Sequence, residues 1–306
     1  MTALASSGAL AVLALVFNAA TWGLAWWPIR TLTEAGLHPL WATAMIYVAA
    51  TAGLVLTMRG RLGAGLRQSR GLWWLAAVSG LTNASFNWAV TLTDVARVAL
   101  LFYLMPVWAA LLARWLLREP LTWLVIVRIG VALAGAAFVF FDPLREPGAG
   151  SWLADALAVA AGMTFAANTV LLRKVAGQSR AAIALAMFSG AAVTPLLVGL
   201  LFSAFGPPLP FPTGAGVWIL LVAATATAYL LGNFALQYGA ARLPANTTAL
   251  IMLTEVVVAA ASGAVIAGET LTSRVLLGGL LIIAAAASSV LVPERRSAKA
   301  AAEAAG

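Results

Sequence analysis

Two short stretches of this sequence, REPLT at 118–122 and GETLT at 268–272, share the same spacing of glutamate, leucine and threonine. Their glutamates lie 150 residues apart, and each stretch separates two long apolar runs. Two further pairs of stretches follow the same order. NWA at 87–89 matches NFA at 233–235, and WG at 22–23 matches FA at 165–166, where six residues separate each dipeptide from an arginine. The chain is therefore predicted to contain an internal repeat.

The apolar runs make this a membrane protein. Of 306 residues, 63% are hydrophobic and 9% charged, and the mean hydropathy is +0.98. A soluble domain has about 45–50% apolar and about 25% charged residues, so a soluble enzyme and a disordered chain are both excluded. One membrane span takes about 20 apolar residues. Ten runs qualify: 9–29, 40–58, 72–92, 95–116, 121–141, 152–173, 181–204, 215–238, 246–266 and 275–292.

Positive charge alternates between successive loops. One set of loops and the tail carries 13 lysines and arginines, whereas the alternate set carries 4. Because positively charged loops remain in the cytoplasm, both termini are predicted to be cytoplasmic, as an even number of spans also requires. The expected location is the cell inner membrane, with the lipid bilayer as the surrounding partner.

The repeat divides the chain into residues 1–146, residues 147–293 and a cytoplasmic tail, 294–306. Each half has five spans, and because five is odd the second half must enter the membrane inverted. The predicted fold is an all-α membrane protein with ten transmembrane helices in two inverted five-helix repeats. Inverted repeats are common in secondary transporters, whose substrate site lies near the midplane between the halves.

Three motifs carry a resemblance to a known family: TWG at 21–23, LMPV at 104–107 and the two E-x-L-T loops. In this order they resemble the drug/metabolite transporter superfamily, as a tandem pair of EamA domains. The resemblance implies a ten-helix carrier, and the tryptophan-rich first span is similar to that of aromatic amino acid exporters. The second half departs from the pattern, since Val256 stands where the first half has Pro106, but Glu255 matches a glutamate often found before that proline.

Polar and aromatic side chains inside the spans are the candidate substrate-binding residues, because an unsatisfied polar group in lipid costs several kcal/mol. Asn87 and Asn233 are repeat partners and are expected to face each other across the path, where their amides can bind a zwitterion. The alternatives are interhelical hydrogen bonds for the asparagines and packing for the aromatic residues. The candidates are Asn18, Trp22, Asn83, Asn87, Trp88, Tyr103, Trp108, Phe165, Asn168, Tyr229, Asn233 and Glu255.

Glu255 is the single carboxylate well inside a predicted span, where a charge costs about 2.5–3.5 kcal/mol on insertion scales. It is interpreted either as a proton site or contact for a substrate ammonium, or as a structural residue. Proton coupling is therefore one candidate driving force.

Several other chemistries are excluded. The chain has two lysines, and neither follows a glycine, so the phosphate-binding loop G-x-x-x-x-G-K-[ST] is absent. Transport driven by ATP hydrolysis in this chain is therefore not predicted. A single histidine and the absence of cysteine exclude the usual zinc sites, and no G-x-S-x-G elbow occurs. The basic residues lie in short loop clusters, so no nucleic-acid partner is expected. The sequence predicts no enzyme and no cofactor.

The predicted function is therefore a secondary transporter that exports amino acids, aromatic and other large neutral ones, by alternating access through a central cavity. One alternative is an exporter of lipophilic or cationic drugs and metabolites. An alternative of another class is a non-transporting membrane scaffold or receptor, which the polar residues in six spans disfavour.

Overall fold

The computed structural model describes residues 2–57, 69–116, 122–140, 151–175, 177–214, 216–240, 242, 251–252 and 254–291. Within these ranges the chain forms twelve helices and no strand, which confirms the all-helical prediction for the described residues. The helices are α1 (Thr2–Gly23), α2 (Trp26–Glu34), α3 (Pro39–Thr57), α4 (Arg70–Leu92), α5 (Val95–Phe102), α6 (Met105–Leu116), α7 (Trp123–Phe140), α8 (Ser151–Lys174), α9 (Arg180–Phe205), α10 (Val217–Ala240), α11 (Thr254–Ile266) and α12 (Ser273–Leu291).

Each predicted apolar run overlaps one described helix or two consecutive ones. Six stretches are long and apolar enough to cross a membrane: Ala9–Glu34, Pro39–Thr57, Val95–Leu112, Trp152–Leu172, Arg180–Phe205 and Val217–Gly239. Helices α7, α11 and α12 provide three shorter apolar stretches. Helix α4 is 23 residues long but is not among these stretches, and seven of its residues are arginine, serine, threonine or asparagine. Most of REPLT, the charged loop at 58–68, the boundary at 146/147 and the tail from 294 lie outside the described residues.

Two of the spans are broken by a short turn. The first turns at Leu24 and Ala25, because Pro28 has no amide hydrogen for the Leu24 carbonyl, and the amide of Trp27 bonds that carbonyl instead at 3.1 Å. The fourth turns at Tyr103 and Leu104, and the chain is helical again from Met105. The short helices α2 and α5 therefore lie beyond a break, at one end of the bundle.

Small residues let the helices approach closely, as is usual in membranes. Helix α4 packs against α8 and α9, and a Cβ at Gly190 of α9 would overlap the backbone of Ala76 in α4. Helices α7 and α12 pack together, and a Cβ at Gly135 would lie 2.6 Å from the Gly278 carbonyl oxygen. The many small residues of these two spans predict a close-packed scaffold, and the contact confirms it.

Candidate functional site

A small cavity lies between the first and second halves of the chain, next to both helix breaks. In this conformation its volume is about 10 Å³, which is room for about one water molecule, and it is partly open at the surface. The first half supplies most of the wall, and α11 of the second half supplies the rest. The lining residues are Trp22, Gly23, Trp26, Phe86, Val95, Ala99, Phe102, Tyr103, Glu255 and Ala259.

Glu255 is the charged member of this lining, and no arginine, lysine or histidine is among the described residues that line the cavity. Over the described part of the chain, no side chain or amide donates a hydrogen bond to its carboxyl group. Its neighbours in the wall are aromatic or aliphatic. An acid in this setting can bind a cation or hold a proton, because nothing described around it already neutralises it.

The two indoles of the wall are held by hydrogen bonds behind them. Trp22 Nε1 donates to Asn18 Oδ1 at 3.2 Å, and its ring lies 4.8 Å from that of Tyr229 between centroids. Trp26 Nε1 donates to Ser262 Oγ at 2.9 Å in a buried position. With both N–H groups occupied, the tryptophans present ring surface to the cavity, which favours apolar groups and cations.

Of the predicted site residues, the structure therefore brings Trp22, Tyr103 and Glu255 together around the cavity, with Asn18 and Tyr229 directly behind Trp22. Phe165 contacts the cavity through Phe102, at 5.3 Å between ring centroids.

The remaining asparagines have partners on the helices. Asn87 Nδ2 donates to Thr43 Oγ1 at 3.0 Å and so joins α4 to α3, and Asn83 Oδ1 accepts from the Tyr47 hydroxyl at 2.6 Å. Asn168 Oδ1 accepts from Ser79 Oγ at 3.2 Å and joins α8 to α4, while Asn233 Oδ1 accepts from Gln237 Nε2 at 2.7 Å within α10. Within the described ranges no hydrogen bond joins Asn87 to Asn233, and a contact of either with substrate stays a prediction.

Two predicted tryptophans lie away from the lining. Trp88 packs against His38 and Phe202, with ring centroids at 5.3 and 5.6 Å. Trp108 packs against the core, and its buried Nε1 has no hydrogen-bond partner among the described residues.

Sequence reasoning missed Trp26, Phe86 and Phe102 as wall residues. The position of Trp26 near the end of its span predicts a residue of the membrane interface instead. Trp22 and Trp26 lie on either side of the helix break at Leu24 and Ala25, so their spacing in the sequence gives no signal that they share a wall.

Two ion pairs join the halves at one end of this cavity. Arg30 Nη1 donates to Glu269 Oε1 at 3.0 Å, and both oxygens of Glu269 accept from the amide of Val95, at 3.0 and 2.9 Å. Arg97 Nε and Nη2 each donate to one oxygen of Asp155 at 2.6 Å. Arg30, Val95 and Arg97 belong to the first half, whereas Asp155 and Glu269 belong to the second.

The chain belongs to the EamA-like transporter family, whose model matches twice, over residues 9–141 and 152–291. The two matches cover both halves and establish the tandem EamA arrangement, and members of this family are membrane transporters. One solved crystal structure superposes on 92% of this chain and 96% of its own, with a TM-score of 0.56 and 18% sequence identity, which supports the fold alone. No curated protein sequence matches this chain.

Proposed function

We propose that this protein is a secondary transporter of the inner membrane that exports amino acids, aromatic and other large neutral ones, by alternating access. Ten transmembrane helices form two inverted five-helix repeats, and both termini are cytoplasmic. The substrate occupies the cavity between the halves after a movement of the halves has widened it, with its ammonium at Glu255 and its side chain against Trp22, Trp26 and Tyr103.

The observation that carries this proposal is the position of Glu255. Its carboxyl group lies in a cavity with aromatic walls, between the two halves of a membrane transporter with a duplicated sequence. A carboxyl group without a described partner supplies one specific polar contact, while aromatic walls tolerate side chains of many shapes. Because the cavity lies between the halves, a relative movement of the halves can expose it to either side.

A second candidate is the export of lipophilic amines and other organic cations. The specific observation in its favour is that the described lining has a carboxyl group but no basic side chain, so the carboxylate of an amino acid has no ion-pair partner there. Aromatic faces beside an acid suit a cation on an apolar body.

Efflux from proteoliposomes tests the function and separates these candidates. Purified protein is expected to release preloaded radiolabelled tryptophan faster than protein-free vesicles do. Tryptophan, tryptophanamide and indole-3-propionate then compete for efflux as zwitterion, cation and anion built on the same ring. Each compound is also preloaded by itself: efflux of tryptophan supports amino acid export, and efflux of tryptophanamide without efflux of tryptophan supports the second candidate. If none of the three is moved or competes, both assignments fail.

The topology gives a separate prediction, motivated by the unequal loop charges. In this cysteine-free chain, Gly65→Cys is expected to react with an impermeant thiol reagent from the cytoplasmic side and Leu209→Cys from the external side. Ser297→Cys, in the tail, should behave as Gly65→Cys does. Reaction of Gly65→Cys and Leu209→Cys from the same side would contradict the inverted arrangement.

A further inference from the structure

Glu269, the glutamate of GETLT, lies where the two halves of the chain meet, at one end of the cavity. Glu269 is held by Arg30 of α2 and by the amide of Val95, the first residue of α5. Arg30 in turn donates to the carbonyl oxygens of Val90 and Thr93 at 2.9 Å, at the end of α4. One carboxylate of the second half is therefore linked to three segments of the first half.

This contact lies directly behind the cavity wall at this end. Val95 lines the cavity, and its amide binds Glu269. Arg30 Cζ lies 4.9 Å from the ring centroid of Trp26, which is another lining residue. Separation of Glu269 from Arg30 and Val95 would therefore open the cavity at this end.

Two glycines bring Glu269 to this position. Gly268 has a φ of +67°, which reverses the chain after α11, and the amide of Glu269 bonds the Gly263 carbonyl at 3.2 Å. A Cβ at Gly263 would lie 2.6 Å from Glu269 Oε2, so a larger residue there would displace the carboxylate from its present position. The loop therefore places the Glu269 side chain between the two halves of the chain.

The two ion pairs at this end differ in how easily they can part. Arg97 and Asp155 expose 5% and 13% of their side chains and pair through two bonds, so parting them leaves two buried charges. The Arg30 and Glu269 side chains are 22% and 6% exposed, so water can replace Glu269 as a partner of Arg30, which also keeps its bonds to the carbonyls of Val90 and Thr93. In addition, α2 and α5 are separated from α1 and α6 by the breaks beside the cavity, where the chain can bend.

We propose that Arg30, Glu269 and the amide of Val95 form a gate that closes the cavity at this end and parts in each transport cycle, while Arg97 and Asp155 hold α5 to α8 throughout. The inference rests on the proposed transport function. The gate faces outward if the loop charges orient the chain as predicted.

Thiol modification tests the gate without any substrate. Ala259, a buried lining residue, is replaced by cysteine in the cysteine-free chain, and a charged impermeant thiol reagent is added from the side that modifies Leu209→Cys. That side is the gate side, because the Pro210 carbonyl accepts from the amide of His38, just after α2. Glu269→Gln and Arg30→Gln are each expected to raise the modification rate about tenfold, the effect of losing one charge-assisted hydrogen bond.

Glu34→Gln is the matched control, since Glu34 is exposed at the same end and forms no described bond to the second half. Its modification rate should equal that of the parent. Variants are compared only after they elute as monodisperse protein. If both gate variants fold and neither raises the rate, or if Glu34→Gln raises it equally, the gate is overturned.

A crosslink supplies the opposite test. A Cβ built at Gly263 lies 3.5 Å from that of Val95, within the range for a disulfide. In Val95→Cys/Gly263→Cys/Glu269→Ala, oxidation is expected to stop tryptophan efflux and reduction to restore it. Efflux that continues after complete crosslinking overturns the gate. If the parent protein does not move tryptophan at all, the proposed substrate fails, and the thiol modification still decides the gate.

Discussion

Glu255→Gln is expected to weaken the apparent affinity for substrates that carry an ammonium group by about 10- to 150-fold. A hydrogen bond to a charged group contributes about 1.5–3 kcal/mol, and no described side chain around the cavity can replace the lost carboxylate. The apparent affinity for indole-3-propionate, which has no ammonium group, should be unchanged. The measurement is competition for tryptophan efflux in proteoliposomes, with each competitor titrated against parent and variant.

The same variant tests whether Glu255 carries a proton. If it does, Glu255→Gln is expected to remove the pH dependence of efflux, since glutamine cannot exchange a proton with the solvent. Glu34→Gln, an exposed acid outside the cavity, should leave affinity and pH response unchanged. A Glu255→Gln protein with the affinity and the pH response of the parent would show that the residue is structural and that the carrier is a facilitator.

Asp155→Ala is expected to lower the free energy of unfolding by about 3–5 kcal/mol, because it leaves the Arg97 guanidinium buried without its bidentate partner. Arg97 is only 4% exposed, so the side chain cannot reach water without moving α5. The measurement is unfolding of the purified protein in detergent, followed by the loss of helical signal on heating or in denaturant.

The control for this prediction removes both charges. Arg97→Met/Asp155→Leu should be much less destabilised than Asp155→Ala, because a buried ion pair replaced by apolar residues of similar volume is often neutral. A double variant as unstable as the single one would mean that the cost comes from packing. A single variant as stable as the parent would contradict the burial of the pair.

The asparagines show how far sequence reasoning reached at the site. Repeat symmetry selects Asn87 and Asn233 as partners across a path, but Asn87 bonds Thr43 on α3 and Asn233 bonds Gln237 on its own helix. A repeat places two residues at equivalent positions in each half without placing them near each other. Which groups meet depends on the rotation of each helix about its axis, and that rotation is not predictable from the spacing.

Composition, by contrast, was sufficient for the class of protein. Long apolar runs admit only helices in a bilayer, because every backbone amide and carbonyl must be bonded within the segment. The same runs located Glu255, since a carboxylate within an apolar segment is rare enough to single out. The paired motifs indicated duplication, which the two family matches confirm.

Only the tertiary structure decided which side chains face the cavity and which join helices. In a soluble protein the polar face of a helix reveals its orientation, but a membrane helix is apolar both toward lipid and toward its neighbours, so this signal is absent. The position of Glu269 between the two halves could not be predicted from the sequence for a related reason. Its partners Arg30 and Val95 are far away in sequence, and they are brought to it by the turn at Gly268 and by the packing of the two halves.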